Sequence, residues 1–118
     1  MIKDFLYFYK GLVTKVYDGD TFTIDIDLGL STWIKGEKIR LHRINAPEVT
    51  GKEKPKGIKS RNYLRKLILN KTIYFRSIKD RKEKYGRYLA EVFIEKEGKL
   101  VNLNDEMVKK KYAVYKKY

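Results

Sequence analysis

Residues 16–29 read VYDGDTFTIDIDLG. Phe22, Ile24, Ile26 and Leu28 alternate with Thr21, Thr23, Asp25 and Asp27. Strict alternation is the signature of a strand with one dry face and one wet one. Asp18-Gly19 just before it is a turn signal, because both residues tolerate the backbone angles that turns demand. Strand-like residues from Leu12 to Val16 precede the turn, so the stretch predicts consecutive antiparallel strands. It also places four aspartates between positions 18 and 27 of a chain whose formal net charge is +13. Asp25 and Asp27 fall on the wet face of the strand. Asp18 and Asp20 fall in the turn, where paired carboxylates fit either a plain turn or a cation site.

Working outward, LGLSTWIKGEK (28–38) reads as a long hairpin connection. KIRLHRI (38–44) resumes a strand, with Ile39, Leu41 and Arg43 on one face and Arg40, His42 and Ile44 on the other. Pro47 ends it, since proline cannot donate into a ladder. VTGKEKPKG (49–57) reads as a polar loop, and Ile58, Leu64, Leu67 and Ile68 then carry helical spacing. KTIYFRSI (71–78) and RYLAEVFIE (87–95) are strands around a charged loop, and Glu97-Gly98 is a turn. Asn102 or Asn104 caps a final helix whose stripe is Leu103, Met107, Val108 and Tyr112. The order is three strands, a helix, two strands and a helix. That predicts a β-rich α+β chain, a five-stranded OB-fold barrel with two to three helices, built as a single domain over residues 1–118.

Composition narrows the chemistry. There is no cysteine, which excludes disulfides and thiolate metal sites, and the one histidine, His42, argues against zinc catalysis. No apolar run reaches the length of a membrane span, and the start MIKDFLYFYKG has no cleavage pattern, so the expected location is cytoplasmic. Lys and Arg number 28 against 15 acids, and ten residues are tyrosines. Basic charge mixed with rings that stack on bases points to nucleic acid. The lysine-rich segments 52–59 and 109–117 read as solvated faces that also suit a nucleic-acid backbone. His42 and Trp33 read as structural residues.

Three pieces hold a kit for phosphodiester hydrolysis: DGDT (18–21), RLHRINAPE (40–48) and KYGR (84–87). They combine oxygen ligands for a hard cation, a carboxylate able to handle water, and arginines that match phosphate oxygens in pairs. Each piece alone reads blandly, as a turn, a strand residue or a hairpin.

Together, and in this order, VYDGDT, RINAPE and KYGRYLAEVF resemble the staphylococcal nuclease (thermonuclease) family, over roughly Gly11 to Tyr115. The long hairpin is similar to that of the smaller, often phage-borne, members. The resemblance implies an OB-fold enzyme that cleaves DNA and RNA with Ca2+. It implies Asp20 as a calcium ligand with Asp18 close by, the Ala46 carbonyl as another ligand, and Asn45 where the family usually has a second carboxylate. It implies Glu48 for the attacking water and Arg40 and Arg87 for the phosphate. It implies Lys84 and Tyr85 on a terminal phosphate and Tyr115 as an aromatic wall. An amide at Asn45 ligates without charge, so calcium affinity is expected to be weak. The family's secreted enzymes continue into another helix after the counterpart of YAVYKKY. The expectation here is a barrel that is either less stable or covered, by FLYFY (5–9) or by a partner. The expected form is a monomer without an obligate protein partner. The rival reading is an OB-fold nucleic-acid-binding module with little or no catalysis, against which Arg40, Glu48 and Arg87 together speak.

Overall fold

The structure is a computed structural model that describes residues 6–116. Residues 1–5 and 117–118, with the first residue of FLYFY and Lys117 of the 109–117 run, lie outside the described residues.

The opening stretch forms what its alternation demands. Strands β1 (Phe8–Asp18) and β2 (Thr21–Gly29) pair antiparallel, with Phe22, Ile24 and Ile26 buried on β2. Strand β3 (Thr32–Leu41) pairs with β2. The connection between them is tight, not long. Leu30 and Ser31 both have positive φ, the geometry of a two-residue hairpin turn whose twist matches that of the strands it joins. TWIKGEK is therefore strand, with a register shift between Ile24 and Ile26 where Gly36 (φ 73°) opposes Asp25. Asp25 is more than a wet-face residue. Its Oδ1 accepts the Gly36 N–H at 2.9 Å, and Asp27 accepts the Gly29 N–H at 2.8 Å, so both acids clip the hairpin.

β3 ends at Leu41, earlier than expected, because Arg43 turns with φ 58°. That turn aims Arg43 at Glu91 (2.8 Å) and Asp105 (2.7 Å), which holds the following segment against the barrel. A short β4 (Ile44–Asn45) follows and pairs with β8 (Val114–Tyr115) near the end of the described chain. Helix α1 (Lys54–Ile68) begins before the sequence pattern signals it, after a 3-10 turn at Gly51–Glu53. Pro55 lies in its first turn, where a missing N–H has no intrahelical partner to lose. Strands β5 (Thr72–Ser77) and β6 (Tyr88–Lys96) follow, and the Glu97-Gly98 turn leads into β7 (Lys99–Asn102). The Asn102 side chain caps helix α2 (Leu103–Lys109), accepting the Asp105 N–H at 3.0 Å.

β1 pairs with β2 and β5, β2 with β3, and β5 with β6. A parallel pairing of β3 with β6, Ile39↔Tyr88 to Leu41↔Ala90, closes the ring. The result is a closed five-stranded OB-fold barrel with two α-helices. Its core joins Phe22, Ile39 and Phe75 of the strands to Leu64 and Ile68 of α1 and Met107 of α2. Each large side chain buried there contributes roughly 1.5–3 kcal/mol relative to exposure. No helix among the described residues is long and apolar enough to cross a membrane.

Candidate active site

The Asp18–Asp20 corner is set by backbone before side chains matter. A register shift between Val16 and Asp18 inserts Tyr17 as an extra residue on β1 and brings Asp18 opposite Thr21. Gly19 then passes so close to Ser60 and Ala46 that a Cβ would strike Ser60 Oγ and lie 2.8 Å from Ala46 Cβ. Only glycine fits between the aspartates.

The acids are tied down by named bonds. Asp18 Oδ1 accepts the Asp20 N–H at 3.0 Å, and Asp20 Oδ2 accepts the Ala46 N–H at 2.9 Å. The Asp20 carbonyl accepts the Leu41 N–H at 2.8 Å, which stitches the corner to the end of β3. Asp18 is 9% exposed and Asp20 5%. Burial, then the hydrogen bond and negative charge of Asp20, push the Asp18 carboxyl up to about 7. An acidic corner this crowded favours a cation.

Arg40 is 8% exposed and held by several bonds. Its Nη1 donates to the carbonyls of Leu41 (3.0 Å) and Ile44 (3.1 Å), and its Nη2 to Asn45 Oδ1 (2.9 Å), with Asp20 Oδ2 at 3.4 Å. The guanidinium plane is thereby fixed at the mouth of the corner. Arg87 is held differently. Its Nε and Nη2 donate to the two oxygens of Glu83, both at 3.1 Å. Glu83 also accepts the backbone N–H groups of Tyr85 and Arg87 at 2.9 Å, closing the KYGR turn on itself. The Glu83 hydrogen bond raises the pKa of Arg87, which stays a cation. The Tyr85 ring is exposed, with the Arg87 guanidinium 5.3 Å and the Lys84 ammonium 5.5 Å from its centre.

Asp18, Asp20, Arg40, Asn45, Glu48, Tyr85 and Arg87 all border one cleft of about 1010 Å³. Segments far apart in sequence are thus brought to one place. Ala46 is buried behind the cleft, anchored by its N–H. Lys84 is not part of the cleft wall. Neither is Tyr115: its hydroxyl donates to Asp105 at 2.9 Å, and its ring lies 5.7 Å from the Arg43 guanidinium. His42 also stands apart, half-buried with its N–H on the Ala90 carbonyl, and burial lowers its pKa. The sequence reading missed Lys15, Lys38 and Arg65, which border the same cleft. Lys38 lies two positions before Arg40 on β3, so strand parity alone would have put the pair on one face.

The donors suit a hard cation. Among the described residues no three acidic or histidine side chains converge. Asp18, Asp20 and the Asn45 amide oxygen border the cleft and could offer a cation oxygen ligands of the kind calcium takes, with the Ala46 carbonyl added by the family resemblance. Asn45 Oδ1 already accepts a bond from Arg40, which further weakens it as a ligand.

Comparison with known proteins shows what the chain is similar to. The family model described as staphylococcal nuclease homologue matches residues 38–118. An uncharacterized protein of Methanocaldococcus jannaschii is 34% identical over 126 aligned residues, covering 89% of this chain and 58% of that protein. A thermonuclease of Staphylococcus intermedius is 32% identical over 105 residues, covering 86% of this chain and 54% of that enzyme. The chain thus spans little more than half the length of these relatives.

Proposed function

Because the chain belongs to the staphylococcal nuclease family, we propose that it is a calcium-dependent nuclease. It hydrolyses phosphodiester bonds of DNA and RNA with little sequence preference, leaves 3′-phosphate ends, and works as a monomer. The observation that supports this reading best is the convergence of Arg40, Arg87, Glu48 and the Asp18–Asp20 corner on one cleft.

Arg40 and Arg87 clamp the phosphate from two sides. Each is pre-oriented by its own bonds, Arg40 by backbone carbonyls and Arg87 by the Glu83 fork, so little ordering remains when substrate arrives. Their charge meets the negative charge that builds on the phosphoryl oxygens in the transition state. Glu48 is exposed on the cleft wall, in reach of solvent, and orients or deprotonates the attacking water. Lys84 and Tyr85 sit on the adjoining turn and hold a terminal phosphate. Asp20, the Asn45 amide and the Ala46 carbonyl would hold calcium, with Asp18 beside them. When bound, calcium polarises the phosphate and lowers the pKa of its water.

The test is incubation of single-stranded DNA, duplex DNA and RNA with the protein, in calcium and in chelator, beside Glu48→Gln. Chelator-sensitive cleavage that Glu48→Gln loses is the expected result. Nucleic-acid binding without cleavage in any arm would instead make the chain a binding module. A second prediction concerns Asn45. Asn45→Asp adds a carboxylate where the structure has a neutral amide. It should tighten calcium about tenfold or more, read by titration calorimetry in the absence of substrate. Unchanged calcium affinity would remove residue 45 from the ligand set.

A further inference from the structure

The cleft extends beyond the groups that the proposed reaction uses, and its extension is basic. Lys15 on β1 and Lys38 on β3 both pair with Thr23 of β2, so the three residues form one row across the sheet. On the other side of β3, Ile39 pairs with Tyr88, which puts Arg87 level with Lys38. The row therefore runs Arg87, Lys38, Thr23, Lys15. With neighbouring strands about 4.8 Å apart, it spans roughly 14 Å. Arg65 of α1 extends it. Its Nη2 donates to the Val16 carbonyl at 3.4 Å, next to Lys15, and it borders the same cleft.

Charge pairing on this sheet is uneven. Toward the far end of β1–β3, Lys10 is paired with Asp27 at 3.5 Å and Lys35 with Asp25 at 3.7 Å. Lys15 and Lys38 have no acidic partner within ion-pair distance among the described residues. Thr23 between them is small and leaves the floor of the cleft open. Tyr17, the extra residue of the β1 bulge, is 64% exposed and borders the same end of the cleft, where its ring offers a stacking face for a base. Two lysines without acidic partners in one row with Arg87, an open floor and an exposed ring form a track for a nucleic-acid strand.

We propose that this track binds the phosphates flanking the one cleaved. Lys38, Lys15 and Arg65 hold a strand that crosses β3, β2 and β1 and reaches at least two phosphates beyond the Arg40–Arg87 clamp. The proposal rests on the nuclease reading for the clamp, and it makes the substrate an extended strand of several nucleotides, not a dinucleotide.

The experiment measures fluorescence anisotropy of labelled single-stranded oligonucleotides, two and eight nucleotides long, across a salt series. The protein is Glu48→Gln with calcium present, so binding is read without cleavage. Adding Lys15→Ala, Lys38→Ala and Arg65→Ala should weaken octanucleotide binding tenfold or more. It should also reduce the slope of log K against log salt by about 2, each lost phosphate contact on a single strand being worth about 0.7. Dinucleotide binding should stay within twofold. Arg76→Ala, Lys79→Ala and Lys99→Ala together remove equal charge from exposed positions away from the cleft and should leave the octanucleotide slope unchanged; circular dichroism confirms that all variants are folded. The proposal falls if the two triple variants behave alike, if the dinucleotide weakens as much as the octanucleotide, or if the parent binds no octanucleotide. Loss of slope in a protein whose unmutated form cleaves nothing upholds the track and removes the nuclease reading alone.

Discussion

Arg40→Ala should lower the cleavage rate by on the order of a hundredfold or more and also melt the protein about 10 °C earlier, whereas Arg87→Ala should lose as much rate and keep its melting temperature. The rate losses are alike because both cations face the same developing charge. The stability losses differ because the two guanidinium groups are supported by different surroundings. Arg40 is 8% exposed, and its removal takes a donor from the Leu41 and Ile44 carbonyls and the neighbouring positive charge from the buried Asp20, which keeps the Ala46 N–H. Unsatisfied buried groups of this kind cost about 1–3 kcal/mol each before relaxation. Arg87 and Glu83 side chains are 23% and 22% exposed, and their pair spans a surface turn, where such pairs are worth at most about 1 kcal/mol. Thermal denaturation beside single-turnover cleavage separates the cases. Equal destabilisation by both substitutions, or wild-type-like cleavage by Arg87→Ala, would contradict the assignment. Arg40→Lys should rescue neither property, since one ammonium cannot meet two carbonyls and an amide in a plane.

The same contrast explains what the sequence made legible. Alternation in TFTIDIDL fixes which side chains of β2 are buried, and the order of strands and helices fixes the barrel, because both are local signals read out once each. The tightness of the β2–β3 hairpin was hidden, since it depends on Leu30 and Ser31 adopting positive φ, which neither residue advertises. The early start of α1 was hidden by its exposed, lysine-rich first turns, which carry no apolar stripe. β4 and β8 are two-residue pairings created by tertiary contact alone.

Site residues divide along the same line. Asp20, Arg40, Glu48 and Arg87 were named from short motifs, and they meet at one cleft because the barrel brings the motif-bearing loops together. That Arg40 is buried was not legible, because alternation predicts only that it opposes Ile39, and both are buried where β3 lies between β2 and β6. The different surroundings of Tyr115 and Lys38 are also matters of register. Tyr115 opposes Ile44 and turns to Asp105, and Lys38 opposes Thr23 and turns to the cleft. Neither pairing can be counted from one strand alone.

Gly57→Ala should destabilise the protein by about 3 kcal/mol and slow cleavage at least tenfold, the reverse of what a helix position normally does. Inside a helix, glycine to alanine ordinarily gains roughly 0.5–1 kcal/mol. Gly57 lies within α1, but a Cβ there would collide with the Glu48 carbonyl and come 2.8 Å from the Val49 nitrogen. Both obstacles are backbone, so no side-chain rotation relieves them. Either α1 retreats from the barrel and its buried Leu64 and Ile68 lose packing, or the Glu48–Val49 segment is pushed away. The second response carries Glu48 with it, and a displacement of about 1 Å at a group that positions water is enough to cost a large part of the rate. Asn62→Ala, at an exposed position on the same helix, serves as the reference and should change neither property appreciably. Chemical denaturation with kcat and KM for each variant decides the matter. A stabilised Gly57→Ala with normal kcat would mean that the helix does not press on the Glu48 backbone, and the placement of Glu48 on the cleft wall would lose its support.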